Sequence, residues 1–486
     1  MKKITLIYSI LILLILKSSS VFSQQILSTG LSNGEISYYQ YLEYSALNVF
    51  EPEQVPEKYR KQESDPPQKS GTFIMMEVKR NWDKLSAASR EILAKHLQRP
   101  QLDFNTLSPS GKFRIHYTTS GYHAIDATDN DHNSVPDYAD SAGIYFDYIH
   151  YLLMDSLGYK APPADSGGLG KEFDVYLLNL SIYYGITWLE PVPGENNVYS
   201  CYMEVENDFL GFPTPPYGAL KVTSAHEYFH AVQVGYFYRD DDVFFMEMSS
   251  TWMEDFAHED VNDYLNYLSS FFNRINYPFS YTDGNLEYGA SLWNHMIAKK
   301  YRADIILKIW EQIPNQNAMN SISNALVNYG TSFSAELANF GLWNYFTGER
   351  SDPEAFYPDG ELFPEANFKG RYTLSSNDLN FESSMSKLSS SYYLLDDPVN
   401  EITIGLIVTN FETPQKNHYG NLDPLDKTAD GRLIKHYPID THARFSDQIP
   451  WDGRDDSGAL VASGVYIAVM RVGKDINSKK LAVIRK

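Results

Sequence analysis

Residues 226–230 read His226-Glu227-Tyr228-Phe229-His230, and this pentapeptide restricts the fold more than any other stretch. The run 219–234 around it contains neither Gly nor Pro, so it predicts one uninterrupted helix. In a helix, four residues of spacing put two side chains on one face, a turn apart. Two imidazoles so placed can both reach a single zinc ion, at about 2.0–2.1 Å. Glu227, one step round, is positioned to take a proton from a water whose pKa the metal has lowered. Ala219, Leu220, Val222, Ala225, Tyr228, Phe229, Ala231, Val232 and Val234 make almost every other position apolar or aromatic, as in a buried helix. Two imidazoles and a carboxylate there carry a desolvation cost unless something binds them. A metal site is the reading; the bland alternative is a chance pentapeptide.

A tetrahedral catalytic site takes three protein ligands and keeps one position open. The x-x-G-x-x-H continuation that supplies a third histidine in metzincins is absent, because Gln233 and Tyr236 stand at its Gly and His positions. A following helix offers a carboxylate instead. Asp240-Asp241-Asp242 supplies N-cap residues for a helix over 243–257. At 100° per residue, Glu247, Ser250, Thr251, Glu254 and His258 share one side, while Phe245, Met248, Trp252 and Phe256 face the other. Glu247 on this polar stripe is the candidate third ligand. Glu254, two turns on, is either a carboxylate that orients a ligand histidine or a solvated face residue.

On these residues the chain resembles the gluzincin metallopeptidases, whose H-E-x-x-H helix is followed by a Glu-bearing helix. Over about 110–350 it is similar to a family of secreted bacterial metalloproteases. The stretches that carry the likeness are Lys112–Thr118, Val135-Pro136-Asp137-Tyr138, Thr223–Gln233, Thr251–Asp255, and Tyr288-Gly289 ahead of a helix. The resemblance implies zinc, peptide hydrolysis and a two-lobed catalytic domain, and names no substrate. One departure is Thr251, where thermolysin-like enzymes carry an Asp four residues after the ligand Glu. Gluzincins also use a Tyr or His of the second lobe to stabilise the tetrahedral oxyanion. Tyr288 is the candidate and Tyr281 the second choice, with plain packing as the alternative in a chain of 37 tyrosines.

Whole-chain properties set the context. Lys2 and Lys3 precede an apolar run, Ile4 to Leu16, and then small residues up to Ser23. That run is too short to span a bilayer and reads as a signal peptide over 1–23, so the mature protein is expected to be secreted or at the cell surface. The formal net charge of −22 argues against nucleic acid and anionic lipid as partners. No other stretch is long and apolar enough for a stable membrane span. Cys201 is the single cysteine, which rules out an intramolecular disulfide. It reads as a small buried strand residue.

Residues 24–110 read as a helical and linker segment, either a propeptide or a cap on the catalytic domain. Within it Gln54–Ser70 reads as an exposed linker and Asn81–Gln98 as a helix. Phe113–Tyr117 alternates as a strand, with His116 a strand residue rather than a ligand. Counting from Asp129, an acidic loop places Asp129, Asp131, Asn133, Asp137 and Asp140 at positions 1, 3, 5, 9 and 12. This approaches a structural calcium loop, with Ser134 where such loops have Gly. An acidic turn capping the next helix is the alternative. Phe173–Leu178 reads as a buried strand. Val198–Glu206 alternates as a strand, and the resemblance to zinc peptidases implies that it lies at the sheet edge that receives extended substrate. Helices are expected near 303–312, 316–328 and 334–347.

A Pro/Ser/Asn/Gly-rich boundary covers 351–385, and 386–486 reads as an antiparallel β-sandwich. Trp451–Gly458 and Ala462-Ser463-Gly464-Val465-Tyr466 resemble the Ig-like module of flagellar hook-capping proteins and type IX sorting tails, which implies a secretion-machinery partner. The expected fold is therefore α+β: a zincin-like two-lobed metallopeptidase domain over 111–350, then a β-sandwich. The expected function is zinc-dependent endopeptidase action on protein or peptide. The alternatives are a non-catalytic binding or adhesion protein on a protease scaffold, and a zinc hydrolase of some non-peptide amide.

Overall fold

The computed structural model describes residues 23–62, 67–165, 167–373, 386–397, 402–410, 464–472 and 475–483. Most of the signal sequence and the Trp451–Ser463 part of the C-terminal motif lie outside the described residues. The fold is mixed α and β. Two compact units divide the chain: Met1–Tyr148, Ala164–Glu190 and Ser200–Tyr228 in the first, and Ile149–Pro163, Pro191–Tyr199 and Phe229–Lys486 in the second.

The first unit is built on a six-stranded sheet. Its strands are β1 (Gln68–Ser70), β2 (Phe104–Leu107), β3 (Phe113–Tyr117), β4 (Phe173–Leu178), β5 (Tyr183–Pro191) and β6 (Tyr199–Glu206), in spatial order β1-β5-β6-β4-β3-β2. β1 runs parallel to β5, and β4 runs parallel to both β3 and β6. Two expectations need correction here. β6 is an inner strand, so Val198–Glu206 is not the edge that the peptidase resemblance implied; β5 and β4 flank it on either side. Nor is Gln54–Ser70 an exposed linker throughout, since Val55 and Tyr59 are core residues and all of β1 is buried. A stretch rich in charge and proline was recruited into the sheet by backbone hydrogen bonds, which leave no side-chain signature.

The N-terminal segment forms helices α1 (Ser23–Ser32), α2 (Tyr38–Phe50), α3 (Thr72–Arg80) and α4 (Ala87–Leu93). The last is shorter than expected because Ser86 caps it, accepting from Ser89 N–H. These helices share one core with the sheet, where Leu42, Met75 and Val78 are buried alongside Ile186, Trp188 and Tyr202. Each such side chain contributes about 1.5–3 kcal/mol on burial. Tyr176 and Leu178 belong to the same core, so Phe173, Val175 and Leu177 face the opposite side of β4. There Phe113 and Phe173 meet Tyr228 edge-on at centroid distances of 5.1 and 5.7 Å. Arg99 fastens the segment further, with ion pairs to Asp165 (2.5 Å), Asp174 (2.7 Å) and Glu190 (2.7 Å). His116 bonds Asp174 at 2.8 Å and stacks on Tyr176, which makes it a strand residue as expected.

Helix α5 (Asp137–His150) follows the acidic loop, and α6 (Pro216–Tyr236) carries the H-E-x-x-H residues. In the second unit, α7 (Val243–Ala257) spans the residues the pattern predicted. It is followed by α8 (Leu265–Asn273), α9 (Leu286–Gly289), α10 (Leu292–Tyr301), α11 (Asp304–Trp310), α12 (Ala318–Asn328) and α13 (Phe333–Tyr345). The described C-terminal strands are β7 (Phe368–Thr373), β8 (Ser389–Asp397) and β9 (Ile402–Asn410) in one sheet, and the antiparallel pair β10 (Gly464–Val472) and β11 (Asp475–Val483). β7 falls within the stretch read as a boundary and pairs parallel with β8. No described helix is long and apolar enough to cross a membrane.

Candidate metal centre

Helix α6 is almost wholly buried, as its run of apolar residues requires, and it carries His226 (2% exposed), Glu227 (0%) and His230 (0%) inward. Glu247, 3% exposed, comes from α7. One ligand atom from each of His226, His230 and Glu247 lies within 4.8 Å of the others, so the three form a group that could hold a metal ion. The His230 Nε2 to Glu247 Oε2 distance is 3.5 Å. Two ligands bound at 2.0–2.1 Å to a tetrahedral ion stand about 3.4 Å apart. The donor set, two imidazoles and a carboxylate, is one that zinc accepts.

The hydrogen bonds round His230 decide its tautomer. Gln233 Nε2 donates to the carbonyl of Met246 (3.0 Å), which can only accept. The Gln233 amide is thereby oriented with Oε1 toward His230 Nδ1, at 2.8 Å. An oxygen there requires hydrogen on Nδ1, which leaves the Nε2 lone pair on the side of Glu247. Ser250 Oγ, 3.2 Å from Nδ1, and Ser249 Oγ, which accepts from Gln233 Nε2, complete the arrangement. Gln233 entered the sequence reading only as the residue that excludes a third histidine. Its place one turn after His230 was the signal that could have identified it. Replacing Gln233 with Leu should weaken metal binding about 10–100-fold, read by competition against a chelator of known affinity. An unchanged affinity would show that His230 needs no such support.

Glu227 is positioned by residues the sequence did not connect to it. Its Oε2 accepts from Thr187 Oγ1 on β5 (2.6 Å) and from Thr72 Oγ1 at the start of α3 (3.2 Å). β5 passes so close that a Cβ added to Gly185 would lie 2.5 Å from Glu227 Cγ. Glycine is required there by that approach.

Glu254, the candidate for orienting a ligand histidine, is buried on α7 (2% exposed). Tyr288 is buried on α9 with its ring edge-on to Tyr267, centroids 5.2 Å apart. Its neighbour Glu287 was not anticipated. Burial raises its carboxyl pKa, with the charges of Asp283 and Glu247 adding to the effect, and it accepts from the N–H groups of Asp283, Gly284 and Asn285. Burial likewise pushes up the Cys201 thiol, in keeping with a structural cysteine. In the acidic loop, Asp129, Asp131 and Asp137 lie together. Ser134 adopts a left-handed φ of 72° at the position where calcium loops carry Gly. Asn133 Nδ2 donates to Asp140 at 2.7 Å, which pairs the other two expected ligands with each other.

What fold and site define is therefore a protein of mixed α and β structure with a buried His-His-Glu group that could hold a metal ion. No protein-family model matches the chain, and no curated protein sequence matches it.

Proposed function

We propose that this chain is an exported, zinc-dependent endopeptidase of the gluzincin type. The observation that carries the proposal is the convergence of His226, His230 and Glu247, with the carboxylate of Glu227 on the helix turn between the two histidines. A bound zinc ion supplies a Lewis acid that polarises a peptide carbonyl and makes water a nucleophile near neutral pH. His226, His230 and Glu247 would hold that ion. Glu227 takes the proton of the attacking water and returns it to the departing amine. Thr187 and Thr72 keep its carboxylate oriented for both transfers. Tyr288 is the proposed oxyanion donor and Glu254 the proposed outer carboxylate. Asp129, Asp131, Asn133, Asp137 and Asp140 are proposed to bind calcium in a structural role. The zincin-like lobes and a C-terminal Ig-like sandwich that engages secretion machinery belong to the same proposal; the antiparallel β8–β9 and β10–β11 pairings support the latter.

Elemental analysis of the purified mature protein, alongside casein hydrolysis with and without chelators, tests this reading. The expected result is one zinc per chain and hydrolysis that a zinc chelator abolishes and added zinc restores. A calcium-selective chelator is expected to lower the melting temperature. Zinc without hydrolysis of any peptide would favour a binding protein on a protease scaffold, and absence of zinc would sink the metal assignment.

A further inference from the structure

We propose that Thr72, contributed by the N-terminal segment, is a permanent positioning residue for Glu227, a role that rests on the peptidase reading above. The directions of the hydrogen bonds support it first. Thr187 N–H donates to Thr72 Oγ1 at 2.8 Å, and a backbone N–H can only donate. Thr72 N–H donates to Ser70 Oγ at 3.2 Å, and Ser70 Oγ sends its own hydrogen to Thr72 Oγ1 at 2.8 Å. With two donors on that oxygen, the Thr72 hydroxyl hydrogen is directed to Glu227 Oε2. The Thr187 hydroxyl lies closest to the same atom, at 2.6 Å, with the Glu227 carbonyl as its second acceptor at 2.9 Å. Oε2 is thus committed as an acceptor, and the carboxylate is held against rotation about its last bond.

The anchoring of the segment is the second support. Gln68 N–H bonds Ile182 O at 2.7 Å and Gly71 N–H bonds Gly185 O at 3.0 Å, so β1 is stitched along β5 on either side of Ser70. Directly after Thr72, α3 sends Met75 and Val78, both 0% exposed, into the core with Ile186 and Trp188. The Lys79 amine lies 4.3 Å from the Trp188 ring. Shedding this segment would strip an apolar face from the sheet. It would also take Arg99 from Asp165 and Asp174, carboxylates only 3% and 1% exposed. A contact that cannot be relieved without dismantling the core belongs to the working site, and a removable inhibitory plug would not be built this way.

The test uses Thr72→Val and Thr72→Ser in the full mature chain at matched zinc content. Thr72→Val is expected to lower kcat about 10–100-fold, the usual cost of losing an outer-shell partner, with KM within about twofold. Thr72→Ser, which keeps the hydroxyl, is expected to restore kcat to within about threefold of the parent. A rise in kcat for Thr72→Val would make the segment an inhibitor, and an unchanged kcat would reduce Thr72 to packing; either overturns the proposal. A second measurement needs neither zinc nor turnover. In the metal-free protein, the loss of melting temperature caused by Thr72→Val should be at least about twofold larger with Glu227 present than in a Glu227→Ala background. Equal losses overturn the proposal whatever the activity. Coupling in a parent that cleaves no peptide keeps the Thr72–Glu227 contact and sinks the peptidase reading.

Discussion

On the peptidase reading, replacing Glu227 with Gln is expected to lower peptide hydrolysis by about 10²–10⁴-fold, with the metal content unchanged. The substitution preserves shape. A Gln side chain still offers one oxygen to the hydroxyls of Thr72 and Thr187 and still fits beneath the backbone of Gly185. What it lacks is basicity. It cannot take a proton from water, and it is not one of the three residues that converge as ligands. Rate and metal content must therefore separate: kcat falls, zinc per chain does not. An enzyme that keeps its rate as Glu227→Gln would remove Glu227 from the mechanism, and joint loss of rate and metal would mean a structural rather than a proton-transfer role.

Glu247→Ala is the complementary experiment, in which rate and metal fall together. Glu247 is 3% exposed, and its Oε2 stands 3.5 Å from His230 Nε2. Its removal leaves two imidazoles on one helix face, an incomplete set for a tetrahedral ion. The loss of affinity should exceed the ~10–100-fold typical of an outer-shell change. The rise in melting temperature that metal gives the parent, through binding to the folded state alone, should disappear. Titrating zinc against the melting temperature of both proteins checks this directly. If Glu247→Ala retains the shift, the third ligand lies elsewhere.

The centre was legible where its residues are tied by helical period, and illegible where they are brought together by the sheet. His226, Glu227 and His230 are neighbours on one turn, and the apolar residues round them announced a buried helix. Glu247 stood out because helical period puts it on a narrow polar stripe, opposite the face that carries Phe245, Met248, Trp252 and Phe256. Thr72 could not be found the same way. It is 155 positions from Glu227, is an ordinary residue by type, and follows a stretch whose prolines and charges read as linker. Thr187 lies in a strand recognisable only once β1 and β6 are seen on either side of it. The edge position for β6 was carried over from the peptidase resemblance, and nothing in the local pattern could check it. Local pattern reports periodicity and burial; adjacency between strands is decided by pairings that any hydrophobic strand could make.

The pairing of β1 with β5 also has a consequence in time. Thr72 meets Thr187 across 115 residues and Glu227 across 155. Contacts that close such long stretches of chain form slowly, because ordering comes before its reward. The two histidines are brought to one face by the helix's own local hydrogen bonds, but the carboxylate gains its hydroxyl partners only when the sheet has closed. On the peptidase reading, hydrolytic competence then arrives at the end of folding. On the same reading, a chain still extended would carry the sequence of a protease without its chemistry.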